Sequence, residues 1–146
     1  MRLLPTILLL ACALSACATA PKGLPGGDTQ RALTAHPWQL VAAYQRGGQP
    51  INGLIGNGLA YQLRITDAQL ALEGGCNRMW AGYAIDGAIL KVSPLASTRM
   101  GCEPARMEAD NWMARQFEMP LKMRFDGPTR LELEMMDGSK LRFEAR

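Results

Sequence analysis

Cysteines are the residues whose chemistry is easiest to read in this chain, and the most informative is Cys17. It closes Leu14-Ser15-Ala16-Cys17, directly after an apolar run from Leu3 to Ala13 and a positive start at Met1-Arg2. That run is too short to span a bilayer and has the form of a secretory signal. The small residues before Cys17 make a cleavage site that leaves cysteine first in the mature chain. A thiol there suits lipoprotein maturation: a diacylglyceryl group joins the sulfur, and cleavage then frees the amine for a further acyl chain such as palmitate. Residues 1–16 are therefore expected to be a signal peptide, lost together with Cys12, and Cys17 to be lipidated. Several acyl chains hold a protein on a membrane where one is marginal. Ala18 follows Cys17 where an inner-membrane lipoprotein carries aspartate, so the expected location is the periplasmic face of the outer membrane.

Cys76 and Cys102 remain in the mature domain. In an oxidising compartment they are expected to pair as a disulfide, the alternative being two reduced, buried thiols. A bridge around residues 77–101 is worth roughly 3–4 kcal/mol in the chain-entropy account. Two cysteines and the distant His36 do not supply a zinc site. Seven of the nine methionines lie between Met100 and Met136. Thioethers can hold Cu(I), but no Met-x-Met run occurs, and flexible core filling is the better reading. No metal and no cofactor are expected.

Nothing in the sequence assembles a nucleophile, its base and an oxyanion site. There is no Gly-x-Ser-x-Gly elbow and no His-Glu-x-x-His, and Glu132 and Glu134 share a strand face in the usual manner of solvated acids. The chain is expected not to be an enzyme. Its net charge, +3 for the whole sequence, is near balance and argues neither for nucleic acid nor for strong electrostatic adhesion; export makes a nucleic-acid partner implausible, and none is expected.

The elements that must position these residues are mostly strands. Residues 17–34, rich in Pro and Gly, read as a flexible tether, and residues 35–146 as one domain. Trp38, Leu40 and Ala42 alternate inward, as do Tyr61, Leu63 and Ile65. Gly47–Gly58 reads as a loop and Leu70 and Leu72 as inward. A strand from Asn77 to Ile85 is expected to turn at Asp86-Gly87 and return through Ala88–Val92, with Ser97–Cys102 extended again. After Cys102 the period becomes helical: Ala109, Trp112, Met113, Gln116 and Phe117 share one face, and Glu108, Asp110, Asn111, Arg115 and Glu118 lie opposite. Pro104 suits the first turn and Pro120 the end. Leu121, Met123 and Phe125, then Leu131, Leu133 and Met135, then Leu141 and Phe143 mark three closing strands with one face in water. The expected fold is mainly β (α+β): a strongly bent, antiparallel, barrel-like sheet of about eight strands with one helix packed on it.

Several of these residues recur in a known pattern. Trp38-Gln39-Leu40, Gly75-Cys76-Asn77, Gly82-Tyr83, Thr98-Arg99-Met100-Gly101-Cys102, Leu131-Glu132-Leu133 and Leu141-Arg142-Phe143 together resemble the META domain, or HslJ-like, family. Gly101 departs from it, an alanine being more usual. The resemblance spans Pro37 to Glu144. It implies a barrel-like β domain, an association with heat and drug tolerance, and no catalytic residues. The expected function is a non-enzymatic envelope lipoprotein, held to the membrane by its lipid, that binds an envelope protein or small ligand in stress response. The alternative is an inhibitor of an attacking hydrolase such as lysozyme or a protease.

One further expectation concerns binding. Alternation from Cys76 puts Asn77, Met79, Ala81, Tyr83 and Ile85 inward and leaves Arg78 and Trp80 outside. The disulfide is expected to bring Arg99 near them, and Arg and Trp are the side chains that dominate many binding surfaces. Arg78, Trp80 and Arg99 are the expected contact patch.

Overall fold

The structure is a computed structural model and describes residues 26–146. The signal peptide, Cys17 and the start of the expected tether lie outside the described residues.

Helix α1, Gly26–Thr34, comes first. Strand β1, Trp38–Tyr44, is followed by a short hairpin of β2, Ile55–Gly56, and β3, Leu59–Ala60. Next come β4, Gln62–Ile65; β5, Leu70–Glu73; β6, Met79–Ala81; and β7, Tyr83–Asp86. Then follow β8, Ile89–Val92; β9, Ala96–Ser97; and helix α2, Pro104–Phe117. Strands β10, Leu121–Phe125, β11, Arg130–Glu134, and β12, Lys140–Ala145, close the chain.

Ten strands form one antiparallel sheet in the order β7-β8-β10-β11-β12-β1-β4-β5-β6-β9, and β2 and β3 pair separately. The two ends of that order belong to one hairpin. Gly82 alone separates β6 from β7, and its carbonyl accepts from Ser93 N–H at 2.9 Å. One half of this bent hairpin, β7 with β8, pairs onward to β10, while the other, β6 with β9, pairs onward to β5. The sheet therefore curls until its first and last strands are continuous. Counted as unbroken strands, the ten become the expected eight.

The inside of the curl holds the core. Trp38, Tyr61, Leu63, Leu70, Leu72, Met79, Leu90, Leu121, Leu133, Leu141 and Phe143 are buried, with Met113 and Phe117 of α2 against them. The period-two positions read from the sequence face inward in β4, β6, β10, β11 and β12. In β1 they do not persist: the register slips between Leu40 and Ala42, so Ala43 is buried in place of Ala42. Such a bulge adds a residue to one strand and reverses the alternation beyond it. The hairpin turn also sits one residue later than expected. Asp86 pairs with Ile89, and Gly87, at φ +59°, takes the first central position where a mirror-type turn needs glycine.

The expected tether, 17–34, is corrected over its second half, where α1 is a second helix of the domain. Leu33 is fully buried, and Trp38 Nε1 donates to the Leu33 carbonyl at 2.8 Å, satisfying an end group that the helix leaves unpaired. Gln30 Nε2 donates to Tyr83 Oη at 2.7 Å, and Tyr83 donates to the Thr66 carbonyl at 2.7 Å. The helix is thus latched to β7 and to the β4–β5 turn. Leu33→Ala should cost about 2–5 kcal/mol in urea unfolding; a loss below about 1 kcal/mol would show that α1 is not part of the folded unit.

Candidate functional site

The densest polar arrangement lies where α2 meets the bend between β5 and β6. Asp110 is 5% exposed, on the helix face expected to meet water. The sequence reading is corrected here: Asp110 shares the buried face with Ala109, Met113 and Phe117, and Trp112 is half-buried beside them. Asp110 Oδ1 accepts from Tyr61 Oη at 2.6 Å and from Cys76 N–H at 3.2 Å. Its Oδ2 accepts from Asn77 N–H at 2.6 Å and from Asn77 Nδ2 at 3.2 Å. A buried carboxylate is tolerated when its oxygens are filled in this way. Burial, reinforced by the hydrogen bond to Asp110, pushes the Tyr61 hydroxyl well above its ordinary 10.0, so it remains a donor.

Gly75-Cys76-Asn77 is the receiving half of this clasp. A Cβ on Gly75 would fall on Asp110 Oδ1 and come within 2.7 Å of Tyr61 Cε1, so only glycine fits. Arg106, one helical turn before Asp110, donates from Nη2 to the Gly75 carbonyl at 2.7 Å. Asn77 Oδ1 accepts from Met100 N–H at 2.7 Å and from Thr98 Oγ1 at 3.0 Å. Cys76 and Cys102 are bridged, with Cα atoms 5.9 Å apart, as expected. Helix, bend and the 98–102 segment are joined through one carboxylate, one asparagine and one disulfide.

The expected contact patch lies beside this clasp and is only partly assembled. Arg78 is exposed, as expected, and Trp80 is half-buried on the same outer face of β6. Trp80 stands between Ala71 of β5 and Ala96 of β9, so no large side chain opposes it on either neighbouring strand. Arg78 Nε reaches Glu73 Oε1 at 3.0 Å. Arg99 is exposed but falls one residue beyond Thr98, which meets Arg78 through its N–H at 3.0 Å and its Oγ1 at 3.1 Å. Among the described residues, the guanidinium seated over a ring is Arg142 above Tyr44, 5.0 Å from the centroid.

Elsewhere, charged side chains of β10, β11 and β12 surround an open groove of about 690 Å³ that β1 borders through Val41 and Ala42. Glu132 sits between Lys140 at 3.0 Å and Arg142 at 2.9 Å. Burial works to raise its pKa, but the two cations outweigh it and hold the carboxyl below its usual range. Glu132 is thus engaged in an ion pair, and Glu134 lies 3.9 Å from the same Lys140. No cluster of metal-ligating side chains occurs among the described residues.

Fold and clasp define a curled antiparallel β domain locked to a single long helix by a buried carboxylate and a disulfide. The META domain family model matches residues 31–146, and the chain belongs to that family. Solved structures share the fold. A protein from Burkholderia xenovorans, solved by NMR, is 19% identical with a TM-score of 0.69, covering 94% of this chain and 99% of that one. A DUF4847 family protein from Bacteroides vulgatus ATCC 8482 is 10% identical with a TM-score of 0.58, covering 81% and 97%. No curated protein matches the chain.

Asp110→Ala would leave the Tyr61 hydroxyl and two backbone N–H groups without their acceptor, at about 1–3 kcal/mol each. It should therefore destabilise by several kcal/mol in urea, and Gly75→Ala should do the same by steric conflict. A loss under about 1 kcal/mol for either would refute the clasp. Because the Tyr61 pKa is raised on folding, its contribution is complete below about pH 10 and fades as pH rises further. Tyr61→Phe should flatten that alkaline decline.

Proposed function

We propose that this chain is a non-enzymatic, lipid-anchored domain of the cell envelope that binds a partner protein or small ligand in stress tolerance. The observation that carries the binding role is the outward Trp80, set between two alanines beside Arg78. A half-buried indole with a guanidinium on the same outer face is the kind of surface on which a few contacts supply most of the affinity. Arg99 extends that surface past Thr98. The envelope assignment is supported by the Leu14-Ser15-Ala16-Cys17 sequence and by a disulfide that suits an oxidising compartment. The non-enzymatic reading is supported by the use of the buried acid: Asp110 is filled by donors from its own chain. The tolerance role follows the family's association with heat and drug stress.

Two variants test this reading. Cys17→Ser should leave unlipidated precursor, and intact mass of the wild type should show an acylated Cys17; a soluble, unmodified mature protein would overturn the anchor. Arg78→Ala/Arg99→Ala should leave the melting temperature nearly unchanged, because surface ion pairs contribute at most about 1 kcal/mol. It should abolish both survival under heat or drug stress and the capture of a cross-linked envelope partner. Survival of both would remove the patch from the account, while protection against added lysozyme or protease alone would favour the inhibitor role.

A further inference from the structure

Strand β9 is the last in the sheet order, with β6 on one side and no strand beyond it among the described residues. Its register fixes where its polar groups point. Thr98 N–H donates to the Arg78 carbonyl at 3.0 Å, so Arg78 and Thr98 are a hydrogen-bonded pair. In an antiparallel ladder such pairs alternate with non-bonded ones. Trp80–Ala96 is then bonded, and Met79–Ser97 between them is not. The N–H and C=O of Ser97 consequently point away from β6.

A cleft of about 230 Å³ lies between β9 and α2, on the inner face that Ser97 shares with its partner Met79. A recess of that size has room for one large apolar side chain. Met79, Leu95, Met107 and Ala114 supply apolar lining, and Ser97 borders it. Asp110 and Glu118 are its charged residues, with no lysine or arginine among the lining. The Asp110 carboxylate is turned to its own donors, whereas Glu118 is exposed at the end of α2 and forms no ion pair among the described residues.

We infer that β9 accepts an extended segment of a partner protein as an added strand, with an apolar side chain in the cleft and a lysine or arginine against Glu118. Backbone pairing at a sheet edge with side-chain pockets beside it is an established mode of peptide recognition. An edge donor and acceptor, an apolar recess and an unbalanced carboxylate together select this occupant over a nucleic acid or an anionic ligand. The inference rests on the proposed binding role and names the class of partner for the same corner of the fold, since Trp80 and Ser97 flank one hairpin.

The test uses the full lipidated chain in detergent micelles and a short blocked peptide of alternating valine and lysine, with a glutamate-for-lysine counterpart. The lysine peptide should bind about tenfold more tightly than its counterpart, a difference of about 1.4 kcal/mol. It should perturb the backbone amides of Leu95–Arg99 and of α2. Ser97→Pro removes the outward N–H while sparing the ladder to β6, as edge strands allow, and should weaken binding about tenfold. Glu118→Lys, on an exposed helix end, should reverse the preference between the two peptides. Binding unchanged by both variants, perturbation confined to the groove around Arg142, or no binding at millimolar peptide would each overturn the inference. A Ser97→Pro strain that retains full stress tolerance, where deletion loses it, would also overturn this edge while leaving the broader binding role in place.

Discussion

A single buried carboxylate, Asp110, determines how the halves of this domain meet. It lies on the helix that is inserted between β9 and β10, and all of its donors come from elsewhere in the chain. Removing an ionised acid from water is costly unless its lone pairs are filled. Asn77 relays the contact to Thr98 and Met100, which lie just before Cys102. The disulfide then fastens a bend and a segment that hydrogen bonds have already brought together. In such a network the loss of one member strands the others, so its parts are strongly coupled.

The curl of the sheet depends on the same corner. A hairpin that serves as both ends of a strand order must bend sharply, and it bends at Gly82 and Ser93-Pro94, where β6 gives way to β7 and β8 to β9. Trp80 and Arg78 face outward there because Met79 and Ala81 are committed to the core. The proposed binding surface and the free edge of β9 are thus consequences of one folding constraint.

Most of the sheet was legible because its strands alternate cleanly. Leu121, Met123, Leu131, Leu133, Leu141 and Phe143 all point inward as period two requires. What period could not show was any feature set by a distant partner. Asp110 reads as a solvent residue on a helical wheel, and only Tyr61, Cys76 and Asn77, far away in sequence, make it a core residue. The signal that could have found it was Gly75-Cys76-Asn77 itself: Gly74, at φ +93°, already serves the bend, so a second glycine beside it implies close approach of another group. Helix α1 was hidden for a related reason. Its sequence, GGDTQRALT, is weakly helical, and its stability comes from burying Leu33 and from its bonds to Trp38 and Tyr83. The bulge in β1 was likewise invisible, since Val41, Ala42 and Ala43 are all small or apolar enough to fit either face. Counting back from the disulfide puts Arg99 near Trp80, but the ladder sets Thr98 opposite Arg78 and carries Arg99 one position on.

Amide hydrogen exchange at Asn77 tests the clasp most directly. Asn77 lies in a bend outside every strand, and its N–H is held by Asp110 Oδ2 at 2.6 Å. If the carboxylate organises the domain, this amide exchanges only on global opening, as slowly as the core of β4 and β12. It should become fast in Asp110→Asn, even under conditions where the sheet remains protected. Rapid exchange at Asn77 in the wild-type protein would contradict the account.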